Sequence, residues 1–540
     1  MDKQQRILIV DDLAHWREEL VETLERGGFH VDSASTASEA LKLLGENYYH
    51  LLVIDIRLIE SDQNNTEGID LLRELDKRGL SEATKVIMLS AYGTKEHMRT
   101  SFREHKVMDF LSKDEFNNQV FLENVRQVFS QKMNINLALE ILWQPGNLAE
   151  QAVLNLIVDG TRIRKGTPLQ SQLAAELEDL LCRLFYQARS VLVRPLAQGR
   201  SGTGVLRIQP FYTTKGGGHE VVVKFGGFNP IEEEYNNFKE YVQPFVGGGR
   251  NTTVHDLRRT PHLGGIIYSL LGASIDQLED FASFYRRSDV SRINDALDRL
   301  FGDTCKGWYA NHGRLQPLDL TAEYQRLLQY TPEKLEQVVA EQLKAVQGKQ
   351  KLYFKHLKDE RPFTNPILAT AGSSLVRPTY VCTTHGDFNQ HNLLVDSTRH
   401  VWLIDFQGTG PSHILRDVSM LDSAIRFQLL TAEEATLDER LHMEEALCSI
   451  EHFNQVDQLA NRLSTENQAL AKAYATIVHL RTWARKLVEQ NPSDDISEYY
   501  IALLYNALNT IRFTSSLPTG QREHALLSAS LLADQLELGK

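Results

Sequence analysis

Residues Val381–Phe406 read VCTTHGDFNQHNLLVDSTRHVWLIDF, and this stretch decides the class of the larger part of the chain. An HGD triplet, His385 to Asp387, is followed five positions after its aspartate by Asn392, and an apolar run then ends in Asp405. Leu393–Val395 and Val401–Phe406 read as two short strands separated by the polar turn Asp396–His400. Such a hairpin sets the asparagine at the start of one strand beside the aspartate at the end of the other. Phosphoryl transfer asks little covalent chemistry of a protein: a base to orient the acceptor hydroxyl, and oxygen ligands to hold Mg2+ on the phosphates. Asp387, Asn392 and Asp405 offer those groups. HGD alone fits a surface loop; joined at these spacings to the asparagine and a strand-borne aspartate, it is a far rarer pattern.

These residues resemble the aminoglycoside and choline kinase group, a branch of the protein-kinase-like fold whose catalytic loop reads HGDxxxxN and whose metal aspartate sits in an IDF or IDW strand. The resemblance implies an α+β bilobal domain with a largely helical C-lobe. It makes Asp387 the catalytic base, His385 a brace for the catalytic loop, and Asn392 and Asp405 ligands of Mg2+. Phe406-Gln407 stands where protein kinases have Phe-Gly, which argues against a mobile activation segment.

Upstream, Val191–Val193 and Val205–Ile208 bracket a turn holding Gly199, Gly202 and Gly204. Glycines let a backbone approach a triphosphate closely, although a Gly-Ser hairpin is the commoner reading of such a turn. The next apolar strand, Val221-Val-Val-Lys224-Phe225, carries one lysine, and a buried lysine calls for a partner. Its string is close to the kinase VAIK strand, whose lysine binds nucleotide phosphates. Ile231–Gln243 reads as a helix stopped by Pro244, with Glu234 the choice of partner for Lys224 and Glu233 close behind. The opposing reading is a solvated acidic first turn favoured by the helix dipole. His262–Leu271 reads as the last small-lobe strand, leading to the hinge where the base of ATP (or GTP) would sit. Helical blocks follow from Gln277 to Phe354 and again beyond Asp417.

At the amino end, Arg6–Val10 closes in Asp11-Asp12, Leu51–Ile54 in Asp55, Val86–Leu89 in Ser90, and Val107–Leu111 just before Lys113. Continuous apolar strands alternating with amphipathic segments indicate a buried parallel sheet, whose ligands lie at the carboxyl ends of the strands. Three carboxylates, a hydroxyl and an amine converge there. Asp11, Asp12 and Asp55 could hold Mg2+, with Asp55 as nucleophile and Ser90 and Lys113 on its phosphoryl oxygens. The arrangement resembles the receiver domain of two-component response regulators, which implies an α/β fold with a doubly wound parallel five-stranded sheet. That resemblance makes Asp55 the phospho-acceptor, Ser90 the switch hydroxyl and Lys113 the phosphate-sensing lysine. Asp114 replaces the usual proline after the lysine, and the loop Ile56–Glu67 is longer than typical.

The 540 residues divide on this reading into a receiver (1–130), a connecting segment with a strand over 135–143 and helices over 148–157 and 172–188 (131–189), and a kinase-like unit (190–540) with its N-lobe at about 190–272 and C-lobe at about 273–540. The connecting segment is either a small domain or the coupling element between the two ends. A net charge of −13 with no dense Lys/Arg run speaks against nucleic acid. Four dispersed cysteines without CxxC spacing fit a reducing compartment and no structural zinc. With no signal pattern and no apolar run near 20 residues, a cytoplasmic protein away from the membrane is expected. The expectation is a bacterial phosphorelay protein in which a receiver, served by a cognate histidine kinase or other phosphodonor, regulates an ATP- and Mg2+-dependent phosphotransferase acting on an alcohol group. The acceptor, small molecule or protein, is unidentified, and an oligomer is compatible. The architecture also has a looser similarity to receiver-fused kinase-like domains of bacterial conflict and stress-response gene clusters. The alternative is a nucleotide-binding pseudokinase that relays the receiver's state to a protein partner.

Overall fold

A computed structural model describes residues 5–59, 62, 65–91, 107–129, 134–146, 149–196, 202–213, 216–245, 252–270, 275–329, 331–343, 350–358 and 361–538. The chain forms two compact units, one of residues 1–235 with 254–269 and one of residues 236–253 with 270–540.

The first unit holds two sheets. Strands β1 (Arg6–Val10), β2 (His30–Ala34), β3 (Leu51–Ile54), β4 (Lys85–Ser90) and β5 (Asp109–Ser112) are parallel, in the order β2-β1-β3-β4-β5. Alternate residues of one strand enter different cores: Leu8, Val10, Leu52 and Ile54 pack on one face, and Ile7, Ile9, Leu51 and Val53 on the other. Burial on both faces is why these strands are apolar throughout.

In the second sheet, β6 (Glu140–Trp143) pairs in parallel with β9 (Ser190–Pro195). The sheet continues through β10 (Gly204–Tyr212), β12 (Val221–Gly227) and β14 (Leu263–Leu270) to β13 (Thr252–Arg259), with the short β11 (Gly216–Gly217) alongside β10. The strand expected over 135–143 is thus shorter. The helix expected over 148–157 is a single turn at Ala149–Ala152, because Asn155 turns left-handed (φ 63°) into a hairpin of β7 (Ile157–Val158) and β8 (Thr161–Arg162). The helix expected over 172–188 runs Pro168–Leu184, starting where Pro168 has no N–H to satisfy. Its Leu173, Leu177, Leu180 and Leu184 share one core with Val191, Leu206 and Val223 of the sheet. The segment read as a connector therefore packs as part of the sheet domain, since a four-residue strand and one amphipathic helix bury their apolar faces only against neighbours.

The second unit is largely helical. The helices Gln468–Leu487, Ser497–Ile511 and Thr519–Gln535 dominate it, and Ser497–Ile511 is buried along almost its whole length. Strand Leu393–Val395 pairs antiparallel with Val401–Leu403, and Val381–Thr384 with Gly410–His413. All four cysteines are buried free thiols, and among the described residues no helix is long and apolar enough to cross a membrane.

Candidate functional site

Asp11, Asp55, Ser90 and Lys113 are all buried at the carboxyl ends of their strands. Lys113 Nζ lies 2.5 Å from Asp55 Oδ2 and 2.5 Å from Asp11 Oδ2. Oxygens of Asp11, Asp12 and Asp55 come within 4.8 Å of one another, the one such acidic cluster among the described residues. Three carboxylates around one ammonium leave an excess of negative charge suited to a divalent cation with oxygen ligands. Burial pushes the Asp11 carboxyl above its ordinary value, and the Lys113 charge offsets part of this. Gly68 packs directly on the Asp55 carbonyl, where a Cβ would stand 1.9 Å from the oxygen. After β5 the chain passes into a short turn, Lys113–Glu115, where Ser112 Oγ accepts from Asp114 N at 3.3 Å in place of the familiar proline.

In the second sheet the Lys224 ammonium stands 2.7 Å from Glu234 Oε2, both side chains being buried, and Tyr268 donates its hydroxyl proton to Glu234. The helix bearing Glu234 begins earlier than expected, at Phe228, and widens after Asn237 into a looser turn, Phe238–Val242. Gly199 lies outside the described residues. Gly202 (φ +77°) and Gly204 are required by packing: a Cβ would come 2.6 Å from Ile157 at the first and 2.3 Å from the Phe225 ring at the second.

In the second unit Asn392 Nδ2 donates to Asp387 Oδ2 at 2.8 Å and Asn389 Nδ2 to Asp387 Oδ1 at 2.9 Å. His385 is fully buried; its Nδ1 accepts from Asp387 N at 3.4 Å, so the ring proton sits on Nε2, 3.1 Å from the Ile404 carbonyl. Burial holds the His385 imidazole below its ordinary value despite the carboxylates of Asp417, Asp387 and Asp405 around it. Asp405 adopts a left-handed backbone (φ 70°) just past the strand Val401–Leu403. Ile404 N donates to Asn392 O at 3.1 Å, tying the asparagine to the segment that ends in Asp405. His385, Asp387, Asn392 and Asp405 are thus brought together. With its Nδ2 turned to Asp387, Asn392 has its Oδ1 available to a cation, and Asp405 could supply a second ligand.

A family model for ternary complex associated domain 9 matches residues 188–351 and 344–512, and a model for the response regulator receiver domain matches residues 7–126. The chain belongs to the ternary complex associated domain 9 family. It joins that region to an amino-terminal response regulator receiver domain. Among curated proteins it is similar to transcriptional regulatory protein ResD of Bacillus subtilis (33% identity over 90 residues, 17% of this chain and 34% of that protein). It is also similar to transcriptional regulatory protein SrrA of Staphylococcus aureus (38% over 87 residues, 16% and 33%). The match spans about a third of each relative's length. Solved structures similar to it include a CheY-like receiver domain protein from Methanospirillum hungatei (28% identity, 24% of this chain and 96% of that one, TM-score 0.22). A Francisella response regulator receiver domain is another (26%, 24% and 99%, TM-score 0.21).

Beside the residues expected from sequence, this ternary complex associated domain 9 chain uses others that no motif marked. Asp417, fully buried, accepts from the backbone N–H of His385 (2.9 Å) and Gly386 (3.1 Å) and from the Tyr309 hydroxyl (3.0 Å). Arg416 Nη2 donates to Gly386 O at 2.9 Å. Gly386 itself is left-handed (φ +82°), and a Cβ there would stand 2.0 Å from Gly408 O. A charged pair inside the apolar run Ile414-Leu415-Arg416-Asp417-Val418 was the available signal, since buried charges need partners.

For the receiver, incubation with a small phosphodonor and Mg2+ is expected to label Asp55 stoichiometrically. Asp55→Asn removes the label while the circular dichroism spectrum stays as in wild type. Label retained in that variant would put the acceptor elsewhere.

Proposed function

We propose that the chain is a receiver-regulated, ATP- or GTP- and Mg2+-dependent phosphotransferase, with Asp387 as the base that orients an acceptor hydroxyl. The observation that carries this reading is the Asp387–Asn392 hydrogen bond in a loop whose asparagine is tied to the segment ending in Asp405. A structural loop has no need to gather a base and two cation ligands. The buried Lys224–Glu234 pair adds to it, because a lysine in an apolar strand held by one carboxylate is a ready partner for phosphates. Mg2+ would neutralise charge on the nucleotide phosphates, held by Asn392 and Asp405, and a second ion would serve Asp55, held by the three receiver carboxylates.

Differential scanning fluorimetry tests the binding half. MgATP at about 100 times its Kd should stabilise the folded state by about 2.7 kcal/mol, a rise of several degrees at roughly 2–4 °C per kcal/mol. Asp405→Ala loses most of that rise. Absence of any shift with ATP or GTP under Mg2+ or Mn2+ would sink the reading.

A second reading, a nucleotide-binding scaffold, is favoured by one feature of the same loop: both carboxylate oxygens of Asp387 already accept amide hydrogens. It keeps the thermal shift and has no turnover, so a screen of hydroxyl acceptors with labelled ATP separates the two.

A further inference from the structure

A second group of buried charges in the first unit lies at the opposite end of the receiver's sheet from Asp55. His50, directly ahead of β3, places Nε2 3.0 Å from Asp179 Oδ1 on the Pro168–Leu184 helix. Its Nδ1 accepts from Arg6 N at 3.0 Å, so the ring proton sits on Nε2 and faces that carboxylate. The Tyr48 hydroxyl lies 2.5 Å from the same nitrogen. Asp179 Oδ2 accepts from Arg183 Nε at 2.6 Å, one turn along the helix, and Arg183 Nη1 donates to Ala83 O at 3.1 Å, just ahead of β4. Burial would raise the Asp179 carboxyl; the Arg183 charge and the bonds from His50 and Tyr48 outweigh it and hold the group below the ordinary carboxylate range.

The same helix makes a second set of bonds one turn earlier. Glu176, fully buried, accepts from Thr260 Oγ1 (2.8 Å), His262 N (3.1 Å) and His262 Nδ1 (2.7 Å) in the turn between β13 and β14. Strand β14 is in register with β12, Ile266 opposite Lys224, and its Tyr268 bonds Glu234, the partner of that lysine. Thus β3 and β4 each carry a helix contact at the amino end (His50, Ala83) and a phosphorylation-site residue at the carboxyl end (Asp55, Ser90).

We propose that the Pro168–Leu184 helix transmits the receiver's phosphorylation state to the strands around Lys224, with Asp179 as the joint. The four residues of β3 are buried on both faces, so the strand has no slack. A displacement at Asp55 is carried about 16 Å along the strand rather than absorbed. At the far end one carboxylate serves the receiver and Arg183 together. A buried charge that must be fully satisfied favours two discrete arrangements over a continuum. The proposal deepens the regulatory part of the function proposed above; it rests on the receiver assignment and needs no nucleotide.

The test is hydrogen exchange on the full chain with Mg2+, with and without beryllofluoride, read at the Asp55 loop and at β12–β14. In wild type both regions are expected to change protection. In Asp179→Asn, and in His50→Leu, which keeps the buried volume should the first variant fold poorly, the Asp55 loop still responds while the β12–β14 response falls at least about five-fold, the lower end of ordinary coupling factors. Response at the Asp55 loop of wild type without any at β12–β14, or an undiminished β12–β14 response in a folded variant, would overturn the proposal. Silence in both wild-type regions would overturn the receiver assignment and the proposal with it.

Discussion

Replacing Asp387 with alanine is expected to lower phosphoryl transfer by roughly 10²–10⁴-fold, the ordinary contribution of a positioned general base, while nucleotide affinity stays within about two-fold. The asymmetry follows from what the side chain touches. Asp387 is bonded to Asn389 and Asn392 and, on the proposed reading, acts on the acceptor; the nucleotide's cation falls to Asn392 and Asp405. A variant that lowers kcat and kcat/KM together and spares binding has lost an interaction made only in the transition state. Asp387→Ala with wild-type turnover would remove this residue from the chemistry, and equal loss of MgATP binding would make it a ligand instead.

Arg426→Ala is expected to destabilise the second unit by about 3–5 kcal/mol, the usual cost of leaving a buried charge without its partner. Arg426 Nε lies 2.5 Å from Asp422 Oδ1 and Nη1 lies 2.8 Å from Glu444 Oε2, with all three side chains almost fully buried. Glu444 also accepts from His524 Nε2 and Ser528 Oγ, each at 2.8 Å. Burial would raise the Glu444 carboxyl, but the Arg426 charge and the His524 and Ser528 bonds prevail and lower it to about 2. A carboxyl lowered by folding stabilises the native state at pH above its unfolded value, near 4.3, and loses that contribution as pH falls toward the folded value. The unfolding free energy of wild type from urea titrations should therefore drop between about pH 4.5 and pH 2, by an amount on the order of 3 kcal/mol. In Glu444→Gln that component of the acid dependence disappears. An Arg426→Ala unfolding free energy within about 1 kcal/mol of wild type, or an unchanged acid limb in Glu444→Gln, would show that the network is dispensable.

The receiver was legible in nearly every strand because parallel strands buried on both faces have a one-dimensional signature: unbroken apolar runs, each ending in the polar residue it presents. The catalytic-type loop was legible for a similar reason, since Asp387, Asn392 and Asp405 lie within one hairpin and their spacing is local. The residues that hold that loop were not. Asp417 reaches the backbone of His385 and Gly386 across 31 to 32 positions, and beyond its i,i+4 partner Asp422 the Arg426 network joins residues as far apart as Ser528, long-range pairings that nothing local marks.

Chain pattern by itself thus determined four of the five strands of the parallel sheet, the carboxyl-edge cluster of Asp11, Asp12, Asp55, Ser90 and Lys113, and the hairpin that sets Asn392 near Asp405, because each follows from periodicity within a few residues; β2, with only Ala34 fully buried, carries no apolar run to mark it. Sequence ranked Glu234 ahead of Glu233 as the partner of Lys224 without separating them, and tertiary structure settled it on the buried Glu234. A period of 3.6 leaves neighbouring helix phases nearly equivalent until the packing of Ile231 against β14 selects one. Tertiary structure alone decided that residues 140–184 belong with the second sheet, and that Asp179 faces His50 from 129 positions away. The free energy of those contacts comes from burying charges and apolar faces against partners distant in sequence, and neither burial nor partner exists until the chain has folded.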